Sequence, residues 1–164
     1  MATEGKNLSA YSRAETPSAE PFVFGVVVSE WNEDITDGLA KGAVDTLLSL
    51  GAKEENIHFH FVPGSYELPI GAQMLIEGKR PDAVVAIGSV IQGETKHFDF
   101  VCQAAAQGVK DVSLKTGIPV IFCVLTDNTM QQAIDRSGGK HGNKGVEAAV
   151  AAVKMAEFKK QLGV

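Results

Sequence analysis

Only two cysteines, Cys102 and Cys123, occur in this 164-residue chain, the first in a helical pattern and the second in a strand pattern. Neither has a Cys or His companion at metal-ligand spacing, which sets aside a disulfide framework and a zinc site; both thiols are expected to be buried. No apolar stretch approaches the roughly 20 residues that span a bilayer, and the first residues lack the basic start and apolar middle of a secretory signal. A cytoplasmic protein with no membrane partner is therefore expected. Positive charge is also scarce, since 15 basic residues face 20 acidic ones for a net charge of −5. The bases are scattered rather than lined up, so a protein that grips nucleic acid through its phosphates is excluded. That leaves small-molecule or protein partners.

What is present suits one compact domain, because a chain that is 45% hydrophobic and 21% charged can build a proper core. Residues 1–21 are polar and aperiodic, with Pro17 and Pro21 bracketing Ser and Glu, and read as a flexible N-terminal arm; residues 22–164 read as a single domain. The run Phe22-Val23-Phe24-Gly25-Val26-Val27-Val28 is continuously apolar, as befits a strand covered on both faces. A helical pattern over 35–50 follows, closed by Gly51. The same unit repeats: strands over 57–62, 83–91 and 120–125 lead into helices over 66–77, 97–116 and 129–136, and a last helix covers 144–160. Alternating strands and helices predict an α/β fold of three αβα layers, with a mainly parallel open sheet.

In such a sheet ligands lie beyond the carboxyl ends of the strands, where this sequence concentrates its unusual residues. The first such loop, Ser29-Glu30-Trp31-Asn32-Glu33-Asp34, holds the one tryptophan, either a stacking platform for a flat ring or a cover for the sheet edge. Its acidic cluster does not make a phospho-receiver, because Ile87-Gly88-Ser89-Val90 offers no further Asp at the end of the central strand. In Val62-Pro63-Gly64-Ser65-Tyr66-Glu67-Leu68-Pro69, a turn precedes a helix that Ser65 is placed to cap; Glu67 either complements the helix dipole or touches a ligand. After Ser89-Val90-Ile91, Gly93 allows close backbone approach, and Thr95 stands at a helix start, where free N–H groups favour an anion. The segment lacks GxGxxG and a Lys-Ser/Thr ending, so neither a dinucleotide nor a nucleoside triphosphate is indicated. His97, at the head of that helix, is a solvated cap residue or a proton carrier. His58 and His60 share one strand face without a third ligand in view. Arg136, Lys140, His141 and Lys144 gather cations around a Gly-rich turn, either to attract a phosphate or to complement a helix terminus.

Taken in order, Ser29-Glu30-Trp31-Asn32, the Val62 to Pro69 segment, Gly88 through Asp99, Gly117-Ile118-Pro119-Val120-Ile121-Phe122, Gln132-Ala133-Ile134-Asp135-Arg136 and Gly142-Asn143-Lys144-Gly145 resemble the lumazine synthase family over about residues 22–160. The resemblance implies a flavodoxin-like domain. It also implies condensation of 5-amino-6-(D-ribitylamino)uracil with 3,4-dihydroxy-2-butanone 4-phosphate to 6,7-dimethyl-8-ribityllumazine, phosphate and water, with no metal or organic cofactor. On the matching positions Trp31 would stack on the pyrimidine, and Ser65, Tyr66, Glu67, Ser89, Val90 and Ile91 would bind the ring and ribityl chain. Glu94 and Thr95 would hold the phosphate, Arg136 would clamp it, Phe122 would line the ring pocket, Lys144 would approach polar substrate atoms, and His97 would move protons.

The chemistry is compatible with what the chain lacks: the substrate's own amine is the nucleophile, so no activated Ser or Cys is required. On the helix from His97, Phe100, Ala104 and Gly108 form a second stripe whose small residues permit close approach of another helix, either of a neighbouring subunit or within the monomer. The former suits the homo-oligomer the resemblance implies, a pentamer or a sixty-subunit shell, with part of the Phe122, Arg136 and Lys144 set serving a neighbour's pocket. The competing readings are a flavin- or lumazine-binding protein without turnover, which needs neither Arg136 nor the Thr95 seat, and a shell-forming protein with a relic pocket.

Overall fold

The six residues Phe24–Ser29 form β1, and every one of them is buried. Val26 and Val28 face one core and Val27 the other, which is why the run is continuously apolar instead of alternating. The computed structural model describes residues 7–164. In it β1 pairs in parallel with β2 (Ile57–Val62) on one side and β3 (Ala83–Ile91) on the other, and β3 pairs in parallel with β4 (Val120–Asp127). The sheet order is β2-β1-β3-β4.

Parallel neighbours cannot be joined by tight turns, so helices make the crossovers. They are α1 (Glu33–Ser49), α2 (Leu68–Lys79) and α3 (His97–Thr116), followed by α4 (Met130–Arg136) and α5 (Lys144–Leu162). Leu39 and Leu47 of α1 and Ala149 and Val153 of α5 close one core; Leu68 and Ala72 of α2 and Val109 of α3 close the other. The result is the three-layer αβα, flavodoxin-like arrangement expected from the sequence. Helices α1 and α5 meet closely because Gly145 has no side chain: a Cβ there would lie 1.9 Å from the Leu39 carbonyl oxygen.

Two details refine the sequence expectations. The second helix starts at Leu68, preceded by a 3-10 turn over Ser65–Glu67, with Pro69 in the first helical turn where its missing N–H costs nothing. Of the two readings of the Gly108 stripe, packing within the chain holds at Gly108 itself: Pro69 of α2 approaches it so closely that its Cγ would stand 2.6 Å from an added Cβ. Phe100 on the same stripe remains 66% exposed.

The Gly-rich turn after α4 is a small antiparallel hairpin of β5 (Ser137–Gly139) and β6 (Gly142–Asn143), with Gly138 and Gly142 at φ 129° and 84°. Asn143 ties it down: its Oδ1 accepts the Gly145 N–H at 2.8 Å, and its Nδ2 donates to the Gly38 and Ser137 carbonyls at 2.8 and 3.1 Å. Within the expected N-terminal arm, the Leu8 N–H donates to the His141 carbonyl at 2.8 Å, and Ala19 is fully buried with its N–H on the Leu50 carbonyl at 2.9 Å. Among the described residues no helix is long and apolar enough to cross a membrane.

Candidate active site

Because all four strands run the same way, the loops after β1, β2 and β3 emerge together, and a crevice of about 740 Å³ opens between them and the start of α3. Of the residues singled out in the sequence, Trp31, Ser65, Tyr66, Glu67, Ser89, Val90, Ile91, Thr95 and His97 line it. Trp31 is 72% exposed, so it is not there to fill the core. The residue after it, Asn32, takes the left-handed conformation (φ 62°, ψ 48°), which Asn tolerates better than most side chains. Its Nδ2 donates to the Ser89 carbonyl at 2.8 Å, which ties the Trp31 loop to the end of β3.

Ser65 is not the expected cap. Glu67 occupies the position before α2, and the Ser65 hydroxyl is buried without a hydrogen-bond partner, as are those of Ser29 and Ser89. It packs against β3 where Gly88 leaves room, since a Cβ on Gly88 would lie 2.5 Å from the Ser65 oxygen. The Thr95 hydroxyl accepts the His97 N–H at 3.3 Å in a local turn just before α3, and both residues border the crevice.

Glu94, Phe122, Arg136 and Lys144 do not line this crevice. Glu94 is exposed on the loop before α3. Phe122 is half-buried on the edge strand β4, on the α2 and α3 side. Lys144 pairs with Glu147 at 2.5 Å. Arg136 gives an Nη1 hydrogen bond to the Gln132 carbonyl at 3.0 Å and lies 3.7 Å from a carboxylate oxygen of Asp127. Burial pushes the Asp127 carboxyl above the ordinary carboxylate range, with Arg136 pulling the other way. Cys123, fully buried near Lys144, has its thiol pushed up to about 12 by burial. Among the described residues, no lysine or arginine lines the crevice.

Sequence reasoning missed three of the lining residues. Asn32 was legible as a small polar residue beside the only tryptophan, but its left-handed backbone was not. Phe98 and Val101, apolar residues in the first turns of α3, carry no local mark of a site, yet both face the crevice.

The family model for 6,7-dimethyl-8-ribityllumazine synthase matches residues 21–160. A protein of Flavobacterium johnsoniae named 6,7-dimethyl-8-ribityllumazine synthase is 57% identical over 164 residues, which cover 100% of this chain and 86% of the relative. One of Christiangramia forsetii with the same name is 58% identical over 161 residues, covering 98% of this chain and 96% of the relative. Another, of Cytophaga hutchinsonii, is 54% identical over 155 residues, covering 94% and 97%.

Proposed function

This chain belongs to the 6,7-dimethyl-8-ribityllumazine synthase family, and we propose on that premise that it condenses 5-amino-6-(D-ribitylamino)uracil with 3,4-dihydroxy-2-butanone 4-phosphate in riboflavin biosynthesis. One observation carries the proposal: an exposed aromatic face, Trp31, and a helix-start anion seat, Thr95 with the α3 amides, open into the same crevice. Two small reactants held there face each other, and well-oriented pairs gain roughly 7 to 11 kcal/mol over encounter in solution.

In this reading the pyrimidine stacks on Trp31, and its ribityl chain runs past Ser65, Tyr66, Glu67 and the end of β3 at Ser89, Val90 and Ile91. The phosphate of the second substrate rests on the Thr95 hydroxyl and neighbouring backbone N–H groups, including that of Glu94, whose side chain is turned outward. The substrate amine attacks the ketone of its partner, so the protein supplies position and proton transfer rather than a nucleophile. His97 is the proton carrier for imine formation and phosphate loss.

A dianionic phosphate in a crevice that no lysine or arginine lines among the described residues calls for a cation from elsewhere. We assign that role to Arg136 of a neighbouring subunit, with Phe122 and Lys144 of the same neighbour completing the ring pocket. Exposed apolar side chains support an assembly: Phe59 and Phe61 on the outer strand β2 stack edge to face at 5.0 Å, and Phe100 stands out from α3. A pentamer, alone or closed into a sixty-subunit shell in the cytoplasm, is the assembly that fits. A binding or shell protein without turnover is the less favoured reading, because it has no use for a phosphate seat. Mixing the purified protein with both substrates tests the function: fluorescent lumazine and phosphate should appear in equal amounts. A folded, assembled preparation that forms neither would overturn the proposal.

A further inference from the structure

At the carboxyl end of β4 the chain keeps a carboxylate away from water. Asp127 is 6% exposed, and its Oδ2 is buried with no hydrogen-bond partner among the described residues. Its Oδ1 is 3.7 Å from Arg136 Nη1, within ion-pair range but longer than a hydrogen bond. An acid kept only for packing would be replaced at no loss by an apolar residue of its size, since a buried charge with a bare oxygen lowers stability. The surroundings point to a different use. Arg136 Nη1 is also held by the Gln132 carbonyl at 3.0 Å. Gln132 is fixed in turn, its Oε1 accepting the Asn128 N–H at 2.8 Å and its own N–H donating to the Thr129 hydroxyl at 3.3 Å. The Asp127 carbonyl accepts the Gln92 N–H at 2.9 Å, where the loop toward Thr95 begins.

We propose that Asp127 is a positioning residue for the phosphate clamp: with the Gln132 carbonyl it holds one edge of the Arg136 guanidinium, leaving the other edge free for an anion. This rests on the reading of Arg136 as the clamp. A guanidinium carries five donors in a rigid fork, and engaging one edge fixes the direction of the rest. Arg136 is partly exposed, with 29% of its side chain accessible, so without that hold the fork would sample other rotamers. The raised proton affinity of Asp127 agrees with a carboxyl that burial would rather neutralise and that Arg136 keeps ionised.

The test is a cycle of D127A and R136A in the assembled enzyme, read as the KM for the phosphorylated substrate and as inhibition by inorganic phosphate. R136A should raise that KM by about 10- to 100-fold, the loss of charge-assisted hydrogen bonds. D127A should raise it by about 10-fold, the scale of a misplaced binding group, with kcat within about 2-fold and weaker phosphate inhibition. D127N, which keeps the shape but loses the charge that acts at 3.7 Å, should recover little of the loss. In the R136A background D127A should add nothing. The inference is overturned if D127A leaves the KM unchanged, if it raises the KM equally without Arg136, or if D127N restores the parent KM. Should R136A itself leave the KM unchanged, the clamp reading fails instead; a KM raised by R136A but not by D127A sinks this inference alone. If D127A does not fold by its thermal melt, D127S takes its place in the same cycle.

Discussion

Trp31→Ala separates binding from folding more sharply than any other single change in this chain. The side chain is 72% exposed, in a loop and outside both hydrophobic cores. Truncating it should therefore shift stability by no more than about 0.5 kcal/mol, the usual range for a surface substitution. Stacking of a pyrimidine on an aromatic face is worth about 1 to 3 kcal/mol by alanine substitution. At about 1.4 kcal/mol per tenfold, that predicts affinity for the ribitylaminouracil falling by about 5- to 140-fold. Trp31→Phe should retain most of the affinity, since the ring face survives. The assay is direct because Trp31 is the sole tryptophan: quenching of its emission reports pyrimidine binding in the parent, and steady-state KM for each substrate reports it in the variants. The expected signature is a raised KM for the pyrimidine, little change for the phosphorylated ketone, and an unaltered melting temperature. Unchanged pyrimidine affinity would refute the stacking role, and a large loss of stability would show that Trp31 belongs to the core.

His97→Ala should lower kcat on the order of 100-fold, the lower end for a positioned proton carrier, because approximation of the substrates survives. Complete loss of turnover in a folded, substrate-binding variant would contradict that division of labour. Asp127→Asn should melt at a higher temperature than the parent at pH 7. Burial raises the folded-state pKa of Asp127 despite Arg136, so the folded protein holds that proton more tightly than the unfolded chain. Its ionised form therefore subtracts from stability above the folded pKa, and the gain should vanish as pH falls toward the ordinary value of about 4; a lower melting temperature at pH 7 would reverse the assignment. Cys123, its thiol pushed up to about 12 and fully buried, should resist iodoacetamide at pH 8 until the chain unfolds, whereas half-buried Cys102, raised less by burial and by Asp99, should react slowly. Mass spectrometry of the alkylated protein decides this, and rapid labelling of native Cys123 would contradict its burial.

The order of elements was legible in the residues because each expresses a local rule. An all-apolar run marks a strand covered twice, as Phe24–Ser29 is, and β3 and α3 fall at the expected 83–91 and 97–116. The placement of Trp31 and Thr95 beyond strand ends, and of Ser89 near the carboxyl end of β3, was legible too, since parallel topology sends those ends to one side of the sheet. What the chain could not announce is where distant segments meet. Ser65 reads as a cap, yet its hydroxyl is buried against Gly88 of β3; Gly108 reads equally as an intersubunit or an internal contact, and only the fold shows Pro69 of the same chain beside it. The meeting of Asp127 with Arg136, and their separation from the crevice, likewise depends on how α4 folds back on β4. Periodicity and turn chemistry act over a few residues and are written in sequence. Contact, burial and the resulting proton affinities arise between residues far apart in the chain, so only the tertiary structure decides them.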